Sequence, residues 1–229
     1  MDLREEGAVD PRAHWYYRSK ARPLLAFARR GPAPVELVDV GAGGGYFSER
    51  AAEACTPGAR LARVDSGYER DETAGPVTRL RALPESIGPG ALVLLMDVLE
   101  HVDDDAGLLR SVVERCRRPC RFFVTVPAFQ SLWSPHDDFL GHKRRYRLPE
   151  LEALVSGAGL TLLSGYYYFG LALLPAWLKR KAAPAAGSEL KPLPFPLDAA
   201  LSALCALEHP LRRANRLAGL TCVAEAALR

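Results

Sequence analysis

Val35-Glu36-Leu37-Val38-Asp39-Val40-Gly41-Ala42-Gly43-Gly44-Gly45 is the stretch that decides the fold of this chain. Four of its first six residues are β-branched or aliphatic, as in a buried strand, and the Tyr46-Phe47-Ser48-Glu49-Arg50-Ala51-Ala52 that follows has helical character. Between them, glycines at 41, 43 and 45 allow a tight turn and leave no Cβ between the backbone and a flat ligand. The spacing discriminates among ligands. A dinucleotide fingerprint, G-x-G-x-x-G, needs its last glycine at position 46, which is Tyr. The pattern here is Asp-x-Gly-x-Gly-x-Gly, with an acid two residues before the first glycine.

Strand and helix alternate outward from this turn. A helix is expected over 11–30, with Asp10-Pro11 at its N-cap and first helical position. Strands are expected at 35–40, 60–65, 77–83 (weak and edge-like), 91–96, 121–126, 160–168 and 220–227, with helices between them at 104–116, 148–156 and 198–215. This alternation argues for an α/β chain with a doubly wound, mostly parallel sheet. The run from Ala153 to Leu178 carries no charged residue, but Gly157, Gly159, Gly165, Gly170 and Pro175 break it into a helix end, a strand and a second short helix rather than a membrane span. The proline-rich stretch 182–196 reads as a surface excursion.

Composition sets outer bounds. The 229 residues are 48% hydrophobic and 25% charged, which suits a globular core, and a net charge of +3 gives no argument for nucleic acid. The five cysteines form no CxxC pair and no zinc-like cluster, so they read as core residues of a reduced, cytoplasmic protein. The charged N-terminus has no apolar segment of the signal-peptide kind. No acids and histidines stand at metal-ligand spacing, which predicts a metal-independent reaction.

The glycine stretch resembles motif I of the class I S-adenosylmethionine (SAM) methyltransferases. Met96-Asp97-Val98-Leu99-Glu100-His101-Val102 resembles the D-V-L-E-H-V segment after strand four of UbiE-like small-molecule methyltransferases. Val126-Pro127-Ala128, Leu132-Trp133-Ser134-Pro135-His136-Asp137 and Gly141-His142-Lys143-Arg144-Arg145-Tyr146 resemble a subgroup with a V-P-A…L-W-S-x-H-D…G-H-x-R-R-Y signature, and His14-Trp15-Tyr16-Tyr17-Arg18 is similar to its H-W-W-F-R helix. Together these resemblances span nearly the whole chain. They imply a Rossmann-like seven-stranded sheet with an N-terminal lid helix and a C-terminal helical insertion before the last strand. The implied layout is one methyltransferase domain over 1–229: lid helix 1–30, cofactor-binding core 31–168, helical cap on the acceptor 169–217 and last strand 218–229.

The resemblance also implies roles. Gly41, Gly43 and Gly45 would pack under the cofactor's methionine part, with Asp39 orienting their loop. Asp65, ending strand two, is placed to accept both hydroxyls of a ribose. Met96, Asp97 and Val98 would line the face carrying the methyl group, an acid there suiting positive charge. Trp15 would cover the cofactor and Arg18 face its carboxylate. Relatives carry an acid after strand three that meets the adenine amine; Arg81-Ala82-Leu83-Pro84 has none, so Leu83 and backbone groups are left for that contact. His136 and His142 lie over the expected acceptor pocket, with Asp137 beside His136 as an orienting acid for a general base. Arg144 and Arg145 would pair with Asp137 and Asp138.

The implied reaction moves a methyl group from SAM to a small, hydrophobic acceptor, with an O-methyl product preferred, and yields S-adenosylhomocysteine. Tyr166 to Phe169, Leu171, Leu173, Leu174 and Trp177 read as core, though the apolar residues before Lys179-Arg180-Lys181, with Arg212, Arg213 and Arg216 later in the chain, would also suit a lipid-like acceptor met at a membrane. The competing readings are a binding or scaffold protein with degenerate chemistry, and an enzyme of this fold with other chemistry. The sequence is silent on acceptor identity and oligomeric state.

Overall fold

The structure, a computed structural model, describes residues 7, 9–182 and 191–229; most of the proline-rich stretch, 183–190, lies outside the described residues. The elements in chain order are α1 (Trp15–Ala28), β1 (Glu36–Val40), α2 (Tyr46–Ala52), β2 (Arg60–Val64), β3 (Glu72–Ala74), β4 (Val77–Leu80), β5 (Ala91–Met96), α3 (Asp105–Arg115), β6 (Cys120–Pro127), α4 (Pro135–Leu140), α5 (Leu148–Gly157), β7 (Thr161–Tyr168), α6 (Gly170–Ala182), α7 (Phe195–Glu208) and β8 (Thr221–Leu228). Short 3₁₀ turns follow β5, β6 and α7, at Leu99–His101, Gln130–Leu132 and His209–Ala214.

The strands form one sheet in the order β3-β4-β2-β1-β5-β6-β8-β7. From β4 to β6 neighbouring strands are parallel, while β8 runs antiparallel between β6 and β7. Alternation in β5 shows how both faces are covered. Leu92, Leu94 and Met96 join a core with Leu24, Phe27 and Phe47, and Val93 and Leu95 join a second with Val112, Phe122 and Leu151. All are buried, and each such apolar side chain contributes about 1.5–3 kcal/mol. Helices on both faces explain why β5 is apolar throughout instead of alternating.

Three expectations change. The sheet has eight strands, because Glu72–Ala74 turns through Gly75-Pro76 and pairs antiparallel with β4 at the edge. The first helix begins at Trp15. Asp10 instead accepts the Arg12 N–H at 2.9 Å in a preceding turn, and His14 caps the helix, its Nδ1 accepting the Tyr16 N–H at 3.4 Å. Tyr166 to Phe169 are core as expected, yet Leu171 and Leu174 are exposed. No helix among the described residues is long and apolar enough to cross a membrane.

Candidate functional site

Strand order reverses between β1 and β5, and a crevice at the carboxyl ends of the strands is the place where open parallel sheets take ligands. A cavity of about 1130 Å³ lies there. Gly41, Asp65, Leu83, Met96, Asp97 and Val98 all line it from the strand ends. Trp15, Tyr16 and Tyr17 of α1 line it too, and Ala172, Pro175, Leu197 and Leu201 of α6 and α7 add an apolar wall.

The glycine turn is fixed by backbone geometry. Gly41 has φ +69°, and a Cβ there would collide with the γ-methyls of Val98, two residues beyond the end of the neighbouring β5. Gly45 begins α2 in a left-handed conformation, and its missing Cβ makes room for the guanidinium of Arg63. Arg63 donates to Ser48 Oγ (3.0 Å) and pairs with Glu49 (3.3 Å), holding α2 against β2. Asp65, and not Asp39, receives the loop's Gly43 N–H, at 2.8 Å, while its other oxygen accepts the Gly67 N–H at 2.9 Å. Asp39 is buried behind the turn, where loss of solvent raises its carboxyl to about 6. Each Asp65 oxygen retains a lone pair beyond its backbone bond, so the carboxylate can accept two further hydroxyls.

Beneath the cavity, Asp97 adopts φ +58° and is gripped by two groups from distant elements. Thr125 Oγ1 donates to it at 2.8 Å, and the buried Lys20 of α1 forms an ion pair with it. Burial opposes both charges, yet the pair wins: the ammonium of Lys20 is raised and the carboxyl of Asp97 lowered. The acid expected to suit positive charge is thus neutralised from within, and nothing in the spacing of Lys20 announced it.

Arg18 does not face the cavity. It pairs with Asp198 of α7 and donates to Ser202 Oγ at 2.9 Å, while the Trp15 N–H donates to the same Asp198 at 2.7 Å. One acid therefore clamps the start of α1 onto α7. Arg212, Arg213 and Arg216 are likewise engaged within the fold: Arg212 is buried, Arg213 pairs with the buried Glu225, and Arg216 with Glu152.

The histidine loop rearranges the expected dyad. His136 lines the cavity with its ring stacked near Phe139 (6.5 Å between centroids), while the histidine bonded to Asp137 is His142. Asp137 is buried and accepts from His142 Nδ1 (2.8 Å), Arg145 Nε and Nη2 (2.7 and 2.9 Å) and the Ser134 N–H (2.9 Å). Burial would raise this acid, but the hydrogen bonds from His142 and Arg145 hold it well below the usual carboxylate range. Arg144 leans on Asp105 instead (3.3 Å), and Asp138 accepts the Trp133 indole N–H (3.1 Å).

Acids and histidines that show no ligand spacing along the sequence nevertheless meet in the fold. Glu100, His101 and His142 each place one ligand atom so that all lie within 4.8 Å of one another, and all three line the cavity. Glu100 and His101 are adjacent, but His142 arrives from another loop, so spacing alone could not reveal the set.

A methyltransferase-domain family profile matches residues 12–164. Over 125 residues the chain is 33% identical to the ubiquinone biosynthesis O-methyltransferase of Caulobacter vibrioides (strain ATCC 19089 / CIP 103742 / CB 15), covering 47% of this chain and 48% of that enzyme, about half of each. Among solved structures, a Haloferax volcanii protein in complex with the Trm112 methyltransferase activator is similar over 98% of this chain and 92% of its own, with a TM-score of 0.59 at 16% identity. A SAM-dependent methyltransferase of Archaeoglobus fulgidus is similar over 99% and 98%, with a TM-score of 0.55 at 11% identity. At these identities the structures speak for the fold alone, and the match over residues 12–164 carries the assignment: this chain belongs to the methyltransferase-domain family.

Proposed function

We propose that this methyltransferase transfers the methyl group of SAM to a hydroxyl of a small, hydrophobic acceptor. The observation that carries the reading is one cavity with two kinds of wall. Its strand-end side has Gly41 of the glycine turn and Asp65 with lone pairs open to hydroxyls, and its α6 and α7 side is apolar, while Gly43, Gly45 and Asp39 stand behind this wall. The partial likeness to an O-methyltransferase of ubiquinone biosynthesis favours a hydrophobic acceptor and an oxygen nucleophile.

SAM, when bound, supplies an electrophilic methyl carbon on a sulfonium. In this reading Gly41 admits its methionine part, Gly43 and Gly45 shape the turn that presents it, and Asp39 lies buried behind them. Asp65 accepts its ribose hydroxyls, Leu83 packs on its adenine, and Met96, Asp97 and Val98 form the floor near the reacting carbon. Trp15 closes the cavity from α1. Holding the acceptor oxygen in line and excluding water supplies much of the rate in such a displacement. His142 takes the acceptor's proton, its Nδ1 fixed by Asp137 so that Nε2 is the accepting atom. His136 orients the acceptor from the same wall.

Incubation with SAM and a panel of hydrophobic phenols and alcohols should give products heavier by one methylene unit. His142→Ala should lower turnover by about 10²–10⁴-fold, the usual range for a lost proton acceptor, while S-adenosylhomocysteine binding persists. Products without that mass gain, or turnover indifferent to His142→Ala, would contradict the reading.

A further inference from the structure

Glu100 is the most anomalous side chain of the cavity wall. It is fully buried, and neither carboxylate oxygen has a hydrogen-bond partner on another residue. An ionised carboxylate stranded in this way is strongly unfavourable, so the group either stays protonated or is completed by a water, a ligand or an ion. Burial, with the charge of Asp97 nearby, pushes its carboxyl well above the ordinary range.

What faces it is two imidazoles. His101 follows it in the 3₁₀ turn Leu99–His101, and the His101 and His142 rings cross at 83° with centroids 4.8 Å apart. The Lys143 N–H donates to the Glu100 carbonyl at 2.7 Å, which fastens the His142 loop onto this turn. His142 Nδ1 is committed to Asp137, itself held by Arg145, so the ring's other nitrogen is directed to the cluster. A carboxylate bonded to the outer nitrogen of a histidine is the usual arrangement behind a metal ligand, fixing tautomer and ring orientation.

We propose that Glu100, His101 and His142 bind one divalent transition-metal cation in the cavity wall. Two imidazoles and one carboxylate suit zinc, manganese, iron(II) or cobalt(II), and three protein ligands leave coordination positions open to an acceptor oxygen. The role of the ion, though not its binding, rests on the hydroxyl-methylation reading. A cation-bound hydroxide takes the proton of the acceptor hydroxyl and departs as water, and the acceptor oxygen becomes a ligand in its place. That oxygen then forms the new O–C bond as the C–S bond breaks, its electron pair staying on sulfur. In the loaded enzyme His142 thus acts on the acceptor's proton through the ion it holds, and His142→Ala still loses that step.

The test uses the metal alone. Chelator-treated protein is titrated with cobalt(II) in the absence of SAM, followed by its visible d–d absorption and by metal analysis after desalting. One cobalt per chain is expected, displaced by zinc. Affinity should fall at least tenfold in Glu100→Gln, in His101→Ala and in His142→Ala, and hold in His209→Phe, which lies outside the cluster. Circular dichroism confirms that each variant is folded, and three separate ligand variants guard against one that is not. No stoichiometric binding, or binding indifferent to Glu100→Gln and His142→Ala in folded protein, overturns the proposal. A separate SAM titration keeps the two accounts apart: cobalt binding without SAM binding sinks the methyl-transfer role and spares the metal site, and the converse does the reverse.

Discussion

At Gly41 two constraints coincide, since the backbone is left-handed and the Val98 methyls fill the space a side chain would need. Alanine there pays about 1–2 kcal/mol for the conformation alone, and the overlap with Val98 would displace the strand end on which the floor is built. Gly41→Ala should therefore bind S-adenosylhomocysteine at least tenfold more weakly by calorimetry while keeping its far-ultraviolet circular dichroism. Binding within twofold of the parent would contradict the close approach argued for the turn. Gly41 and Asp65 were legible in the sequence because their setting is local, a strand running into a turn. Lys20 and Asp198 were not legible, because each takes its role from a partner brought by the fold, whereas the pairing of Arg145 with Asp137 was read from the sequence. The same non-locality misdirected Asp137: its neighbour in sequence is His136, but helix α4 and the turn at Gly141 carry His142 to it instead.

At the scale of elements, the core strands and helices matched their periodicity, and the misses lie at edges and ends. β3 is three exposed residues with no apolar pattern to read. The 3₁₀ turn His209–Ala214, expected as the end of a helix, has a pH signature. His209 packs edge-on to Tyr168 with its Nδ1 buried and unpartnered, and burial, helped by the charges of Arg212 and Arg22, pushes its imidazole down to about 4. Unfolded, it titrates near 6.5. Between those values the unfolded chain holds a proton that the folded chain lacks, so stability is full above about 6.5 and falls as pH drops toward 4. Urea midpoints at pH 7 and pH 5 should thus differ less in His209→Phe than in the parent. Equal differences would show that this histidine is not neutral in the fold.

For the whole molecule, the sheet brings chemistry from one end of six strands and two distant loops into a single cavity. Its outer cover is apolar on both sides: Leu171 and Leu174 on α6, Phe195 and Leu207 on α7 and Leu211 beyond it are exposed. Arg212, Arg213 and Arg216, expected to aid anionic lipid binding, are engaged in the fold, so apolar insertion beside Lys179-Arg180-Lys181 would carry any membrane contact. If a lipid-like acceptor is met at a bilayer, the protein should sediment with neutral as well as anionic vesicles, and Leu174→Asp with Phe195→Asp should abolish this. Failure to sediment with either would remove the membrane from the account.

The most direct test of the central claim is calorimetric titration of the intact chain with SAM and with S-adenosylhomocysteine. The account predicts micromolar binding of both at one site per chain, lost in Asp65→Ala, whose carboxylate is the predicted seat of the ribose. Absence of binding by either ligand to well-folded protein would contradict it and favour a scaffold built on a methyltransferase fold.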